Sequence, residues 1–204
     1  MTNLPQELNS ALIGIMLGDG GIYRITPKGN CRFEMSFGQN YSQFAESIAK
    51  LFKEYMKSSI KTIEVKGKNG KKYLNYRLKT STLPIFNYYH NMFYKYNIDK
   101  QKFVKIVPHN IFELLDPIVL AYLIMTDGNF DKGRKRVRIY TNSYSKHEVE
   151  ILASSIFSKI NIYVGVLHDR RDQWILTIGA TQLCLLREIV SPHFEASMLY
   201  RLGL

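Results

Sequence analysis

The sequence predicts an α+β protein made of two copies of one αββαββα pattern. Three observations predict it. An apolar run ending in Asp-Gly occurs twice, as Leu12-Ile13-Gly14-Ile15-Met16-Leu17-Gly18-Asp19-Gly20 and as Leu120-Ala121-Tyr122-Leu123-Ile124-Met125-Thr126-Asp127-Gly128. After each run the same order follows: two strand-like stretches, a helix at period 3.6, two more strand-like stretches and a closing helix. Small matches tie the copies together, since Asn40-Tyr41-Ser42 stands where Ser143-Tyr144-Ser145 stands in the second copy. Two copies fit a pseudo-twofold pair better than a solenoid, which needs more units. The copies divide as residues 1–104 and 105–204. The boundary falls within Asp99 to Leu114, where Pro108 breaks any helix.

In chain order, Pro5 opens the first apolar helix, and Asp116 with Pro117 opens the second as N-cap and N1. The glycine of each Asp-Gly pair is expected to stop its helix in the left-handed conformation. Gly21 to Arg24 and Cys31 to Phe37 read as strands around a turn at Pro27-Lys28-Gly29-Asn30. In the second strand Cys31, Phe33, Met35 and Phe37 share one face, and Arg32, Glu34 and Ser36 the other. Tyr41 to Tyr55 carries an apolar helical stripe. Ile60 to Val65 and Tyr73 to Lys79 form a second hairpin, and Leu83 to Tyr94 an aromatic-rich helix. The second copy repeats this with strands over Asn129 to Arg134 and Arg134 to Tyr140, then a helix over Lys146 to Ile160. Strands Ile162 to Leu167 and Gln173 to Ile178 follow, joined by His168-Asp169-Arg170-Arg171-Asp172, then a helix over Ala180 to Val190.

Charge narrows the function. The 204 residues carry a net charge of +11, and the pI is about 9.6, a balance that favours a polyanionic partner. No apolar run reaches membrane-spanning length. Two cysteines, Cys31 and Cys184, give neither a disulfide framework nor a zinc pattern. Arg134, Arg136, Arg138 and Tyr140 recur at period two, more cationic charge than a solvated strand face needs. Asn75, Arg77 and Lys79 share a face opposite Leu74, Tyr76 and Leu78, and Ile175 and Thr177 take the equivalent face in the second copy. Turns carry Lys28, Lys66, Lys68, Lys71, Lys72, Lys132, Arg170 and Arg171. Turn lysines suit phosphates, while strand side chains suit base edges in the major groove.

The two aspartates are the odd feature. A carboxylate in the last turn faces the negative end of the helix dipole, at a cost of roughly 0.3–1 kcal/mol. Two such residues, each ending an apolar helix, suggest a cation site. The doubled run resembles the LAGLIDADG motif of homing endonucleases, in their single-chain, two-motif form. Leu17 and Met125 replace the motif's first aspartate, and Tyr122 replaces a glycine that Gly14 keeps.

The resemblance implies two half-domains packed through the motif helices, with two antiparallel four-stranded saddles on double-stranded DNA. It assigns Asp19 and Asp127 to a Mg²⁺ site, in which Mn²⁺ can substitute and the Gly18 and Thr126 carbonyls can add ligands. It implies cleavage of a long asymmetric target by phosphodiester hydrolysis, leaving short 3′ overhangs. Lys105, in Lys105-Ile106-Val107-Pro108, matches a family basic residue. Arg201, in Tyr200-Arg201-Leu202, stands in place of its partner lysine. Gln39 and Asn142, at equivalent strand ends, are candidates to position the attacking water. The DNA-facing set comprises Arg24, Arg32, Glu34, Ser36, Tyr73, Asn75, Arg77, Lys79, Arg134, Arg136, Arg138, Tyr140, Ile175, Thr177 and the turn cations. The expected protein is an intron-encoded monomer of an organelle, the mitochondrion before the chloroplast. An RNA maturase acting on intron RNA, or a non-catalytic DNA-binding derivative, is the alternative.

Overall fold

The computed structural model describes residues 4–67 and 70–204. The expected order is present: α1 (Gln6–Leu17), β1 (Gly21–Arg24), β2 (Cys31–Gly38), α2 (Ser42–Leu51), β3 (Lys61–Lys66), β4 (Lys72–Lys79) and α3 (Pro84–Phe93). A hairpin of β5 (Tyr94–Asn97) and β6 (Lys102–Lys105) and a short α4 (Ile111–Leu114) follow, β5 beginning at the expected helix end and β6 and α4 lying in the stretch expected to carry only a boundary. The second copy is α5 (Pro117–Asp127), β7 (Gly128–Asp131), β8 (Arg136–Ile139), α6 (Lys146–Ile160), β9 (Gly165–Arg170), β10 (Gln173–Ile178) and α7 (Leu183–Val190). The chain ends in a 3-10 segment, Ala196–Leu202.

The two large sheets share one topology. Their orders are β1-β2-β4-β3 and β7-β8-β10-β9, with every neighbouring pair antiparallel. By contacts the chain forms two compact units. One holds Gly20–His90, and the other holds Pro5–Asp19 with Asn91–Leu204. The first motif helix therefore groups with the second copy.

In the first unit, Phe33, Phe52, Ile48, Leu78 and Phe86 are fully buried. Phe33 and Phe52 stack at 4.7 Å between centroids. The helix expected to reach Tyr55 ends at Leu51, and a 3-10 turn over Lys53–Tyr55 follows the buried Phe52.

In the second unit, α1 packs on α5. Both are buried along most of their length, because neither presents a continuous polar stripe. Asp116 caps α5 as expected, accepting from the Val119 N–H at 2.8 Å, and it also accepts from the Ser10 hydroxyl of α1 at 2.5 Å. Gly14 explains the close approach despite Tyr122. A Cβ on it would lie 2.4 Å from the Val119 carbonyl oxygen and 2.8 Å from the Tyr122 Cβ. The hydroxyl of the buried Tyr144 donates to the Leu17 carbonyl at 2.9 Å, tying down the end of α1.

The glycine caps correct one expectation. Gly18 follows α1 at φ −102° and Gly128 follows α5 at φ −79°, and no glycine of either run has a positive φ. Space is what excludes a side chain there. A Cβ at Gly18 would sit 2.1 Å from Asp127 Oδ2, and one at Gly128 would sit 2.4 Å from the Ile124 carbonyl oxygen.

Candidate functional site

Asp19 and Asp127 meet at the ends of α1 and α5, within the second unit. Asp19 is exposed just beyond α1, and Asp127 is half-buried as the last residue of α5. Two cations converge on them. Lys105, at the end of β6, donates from Nζ to the Gly18 carbonyl at 2.6 Å. Arg201, in the C-terminal 3-10 segment, donates from its guanidinium to the Gly128 carbonyl. Both are therefore anchored on backbone oxygens next to an aspartate.

Local structure fixes these cations. The strip after Lys105 is held on two sides: the Ile106 N–H donates to the Phe93 carbonyl at 2.8 Å, and the Val107 N–H to Glu148 Oε1 at 3.1 Å. Arg187 of α7 donates from Nε to the Leu202 carbonyl at 2.9 Å, which fastens the segment carrying Arg201.

The electrostatics are those of a centre short of positive charge. Burial and the neighbouring Asp19 charge push the Asp127 carboxyl up to about 7, against the pull of Lys105 and Arg201. Burial also raises Asp19, again opposed by Lys105 and Arg201. Burial brings Lys105 down to about 8, although Asp127 and Asp19 favour its charged form.

Asp127 Oδ2 is buried with no hydrogen-bond partner among the described residues. An acceptor so placed, beside a second carboxylate, fits a hard cation bound through oxygen atoms. Among the described residues no group of three or more His, Cys, Asp or Glu side chains surrounds a metal position. Two carboxylates beside backbone carbonyls are oxygen donors of the kind that a hard cation such as Mg²⁺ would take. The Gly18 carbonyl already accepts from Lys105. The Thr126 hydroxyl donates back to the Tyr122 and Leu123 carbonyls, each at 3.0 Å.

Gln39 opens an exposed 3-10 turn after β2, in the first unit. Asn142 is half-buried, two residues beyond Tyr140, whose N–H donates to the Asp127 carbonyl at 3.0 Å. Its side-chain oxygen has no partner among the described residues.

Each sheet presents a basic face on which an acid is clamped, Glu34 on an inner strand of the first and Asp131 at the hairpin end of the second sheet's edge strand. In the first, Glu34 is 7% exposed and ion-pairs with Arg32 at 2.6 Å, Arg77 at 2.8 Å and Lys79 at 3.5 Å. Desolvation works to raise its pKa, but hydrogen bonds from Arg32 and Arg77 leave it lowered. The register puts Ser36 and Asn75 on this face, with Tyr73 exposed at its far end. Arg24 pairs with Cys31 on the opposite face and donates to the Gly29 carbonyl at 2.8 Å. Leu74, expected in the core, is 47% exposed, because the hairpin tip runs beyond the packed part of the sheet. Lys28, Lys66, Lys71 and Lys72 are exposed, and Lys68 lies outside the described residues.

In the second sheet Asp131 bonds Arg136 at 3.1 Å and Arg138 at 2.6 Å. Desolvation opposes the shift, yet hydrogen bonds from Arg136, the Arg134 N–H and Arg138 draw Asp131 down to about 2. The sequence reading missed Asp131. Its signal was position, an acid directly across the hairpin from Arg136.

Three expectations here need correction. Arg134 is not in the strand. It lies in the turn that Asp131 caps, and Lys135 then takes φ +46°, so β8 starts only at Arg136. Ile175, expected on the open face, is 3% exposed, because it sits on an inner strand with Leu167 directly opposite. Strand β9 runs through His168, Asp169 and Arg170, which were expected in the loop. Arg171, at φ +51°, makes the turn, and a register shift at Gln173/Trp174 absorbs the difference. Thr177 is half-buried opposite Arg138, while Lys132, Arg170 and Tyr140 are exposed.

Two helices that each deliver one aspartate to a shared cationic centre, and two sheets of one topology, define a single-chain protein with two copies of the motif. The chain belongs to the LAGLIDADG DNA endonuclease family, whose model matches residues 9–185. It is 28% identical over 98% of its length to the cytochrome b mRNA maturase bI2 of Saccharomyces cerevisiae, and it spans 48% of that protein. It is 27% identical to the probable intron-encoded endonuclease 1 of Wickerhamomyces canadensis, with 98% of this chain and 86% of that protein covered. Among solved structures, the homing endonuclease I-WcaI bound to its DNA recognition sequence superposes with a TM-score of 0.88. That match covers 99% of this chain and 88% of that one at 24% identity, a likeness of fold.

Proposed function

We propose that the protein is a homing endonuclease. On this reading it cuts both strands of a long asymmetric DNA target by Mg²⁺-dependent phosphodiester hydrolysis and leaves short 3′ overhangs. The meeting of Asp19, Asp127, Lys105 and Arg201 at paired helix ends carries this reading. Mg²⁺, or Mn²⁺ in its place, would be held by the two aspartates, with Thr126 and Gly18 carbonyls as further oxygens. When bound it supplies a more acidic water and charge on the departing oxygen.

The chain's own residues do the rest. Lys105, whose pKa burial brings down to about 8, can give up or take a proton at Nζ. Arg201 stays charged, so it stabilises developing negative charge without acting as a base. Gln39 and Asn142 are proposed to orient water. The basic sheet faces bind duplex DNA, their strand residues on bases and their turn lysines on phosphates. The named relatives support an intron-encoded, organellar protein, which we place in the mitochondrion and treat as a monomer.

A second reading is favoured by the yeast relative: an RNA maturase that keeps the fold and binds intron RNA. Incubating the purified protein with a randomised DNA library in Mg²⁺ and in Ca²⁺ separates the two. Cutting at one long sequence in Mg²⁺ alone supports the endonuclease. Tight binding with no cutting in either metal supports the maturase, with intron RNA as the next ligand.

Removing Arg138 tests the base-reading role. Arg138→Ala is expected to relax preference at one position of one half-site by about 1–3 kcal/mol, the worth of a bidentate base contact. Selection on the randomised half-site measures it. Equal weakening on every sequence would place Arg138 on a phosphate instead.

A further inference from the structure

The β5–β6 hairpin carries an apolar tip that the activity proposed above does not use. Tyr96 is 50% exposed and Phe103 53% exposed, and they sit directly opposite each other. Their rings meet edge to face at 5.4 Å. Ile98, in the turn, is 81% exposed. Large side chains left in water on a two-stranded ribbon are costly, and grouped together they mark a contact surface.

The turn is built, not slack. The Asn97 side chain accepts from the Lys100 N–H at 2.8 Å, and Gln101 takes φ +48° to close it. Lys100 stands in the turn, and Lys95 and Lys102 lie on the ribbon's other face, with Asp99 as the single acid of the hairpin. The charge is complementary to a polyanion.

Register gives the direction. Tyr94 pairs with Lys105 and Tyr96 with Phe103, so these four residues share one face of the ribbon. Lys105 reaches the Gly18 carbonyl beside Asp19 from that face. Phe103 is two residues back along the same strand, about 7 Å away at the usual strand rise. Whatever phosphate enters the centre brings its neighbouring bases and sugars within that distance.

We propose that this hairpin is an apolar wedge for DNA. Tyr96 and Phe103 pack into a base step beside the phosphate to be cleaved, and Lys95, Lys100 and Lys102 hold the flanking backbone. Side chains of this type enter through the minor groove and part adjacent bases, bending the duplex toward the opposite groove. The proposal rests on the endonuclease reading, because it needs DNA at the centre.

The test uses the full chain and a DNA target selected from the randomised library. 2-Aminopurine replaces a base next to the cut, and Ca²⁺ is present to stop cleavage. Binding of the wild type is expected to raise the probe's fluorescence, the sign of an unstacked base. The double variant Tyr96→Ala, Phe103→Ala is expected to bind about 10–100-fold more weakly and to lose the rise, as base-stacking aromatics do. The variant Tyr96→Phe, Phe103→Tyr keeps both rings and is expected to restore both signals. It guards against reading a misfolded hairpin as a lost contact. Lys100→Gln with Lys102→Gln is expected to lower the dependence of log affinity on log salt by about 2. If the wild type binds but the alanine variant matches it in affinity, cutting and fluorescence, the wedge is refuted while the endonuclease stands. If the wild type binds no DNA, the endonuclease reading fails first and the wedge with it.

Discussion

Asp127→Asn is expected to abolish double-strand cleavage and at the same time to make the protein more stable above neutral pH. The two effects share one cause. The carboxylate is held half-buried beside Asp19, which lifts its pKa to about 7. In the unfolded chain the group titrates near 3.9. A folded-state pKa above the unfolded one means that folding is favoured while the group is protonated. That advantage is complete below about pH 4 and is lost as pH rises through 7. Above pH 7 the wild type therefore bears the whole cost of the charge. About three pH units correspond to ~4 kcal/mol, and screening at a half-open site reduces this to about 1–3 kcal/mol.

Asparagine removes the charge and leaves the shape. Thermal melting at pH 8 in EDTA is expected to rise by about 2–4 °C for each kcal/mol recovered, with the gain shrinking toward pH 4. Cleavage moves the other way. Losing even about 4 kcal/mol of metal-borne transition-state stabilisation slows the reaction by ~10³-fold. Affinity for DNA in the absence of metal is expected to stay within a few-fold of wild type. Normal cutting by Asp127→Asn would refute the metal assignment, and an unchanged melting profile would refute the pKa argument independently.

The second large effect is Gly14→Ala, and it falls on stability. The new methyl would begin 2.4 Å from the Val119 carbonyl oxygen and 2.8 Å from the Tyr122 Cβ. Backbone oxygen and Cβ cannot swing aside, so α1 and α5 must separate. Overpacking of this kind costs about 1–3 kcal/mol and sometimes more. Here it also pulls on the Ser10–Asp116 hydrogen bond at the other end of the same interface. Denaturant titration is expected to show a lower midpoint with unchanged slope. At temperatures where the variant remains folded, cleavage is expected to fall too, because Asp19 and Asp127 ride on the separated helix ends. Gly14→Ala of wild-type stability would mean that the helices are not held at this contact.

Much of this architecture was legible in the chain, and the reasons are specific. The doubled Asp-Gly runs gave both motif helices, and Asp116-Pro117 marked the start of α5 to the residue. Period-two alternation in Cys31 to Phe37 gave a strand whose apolar residues are all buried. Boundaries drifted where a side chain outside the element decides them. The chain leaves α2 at Phe52, whose ring stacks on Phe33, nineteen residues earlier and invisible to periodicity.

The β5–β6 hairpin went unseen because each strand is only four residues long, and the alternation of Tyr94 to Asn97 is not matched in its partner, where Phe103 and Val104 are adjacent. Within the site, the aspartates and Lys105 were readable from the doubled motif and the Lys-x-x-Pro spacing. The Tyr144 tether, the Asp131 clamp and the close fit of Gly18 were not. Each depends on atoms brought together across the fold, which spacing along the chain does not record.

The grouping of α1 with the later residues has a consequence for how the protein is made. Helix α1 is synthesised ahead of the rest of this fold, and its partner α5 follows roughly 110 residues later, a wait of about 5–20 s at ordinary elongation rates. Through that interval the apolar stretch Ala11 to Leu17 has no surface to bury against, while Gly20–His90 emerges behind it and can form its own core. The nascent chain would carry the uncovered apolar end of α1 through that interval. Capture of that end by a holdase, or slow codons placed after residue 90 to let the first sheet close, would raise yield. Moving residues 5–19 to the C-terminal side by circular permutation would deliver α1 to an α5 already made, and the wait would pass to α5, on the order of 80 residues.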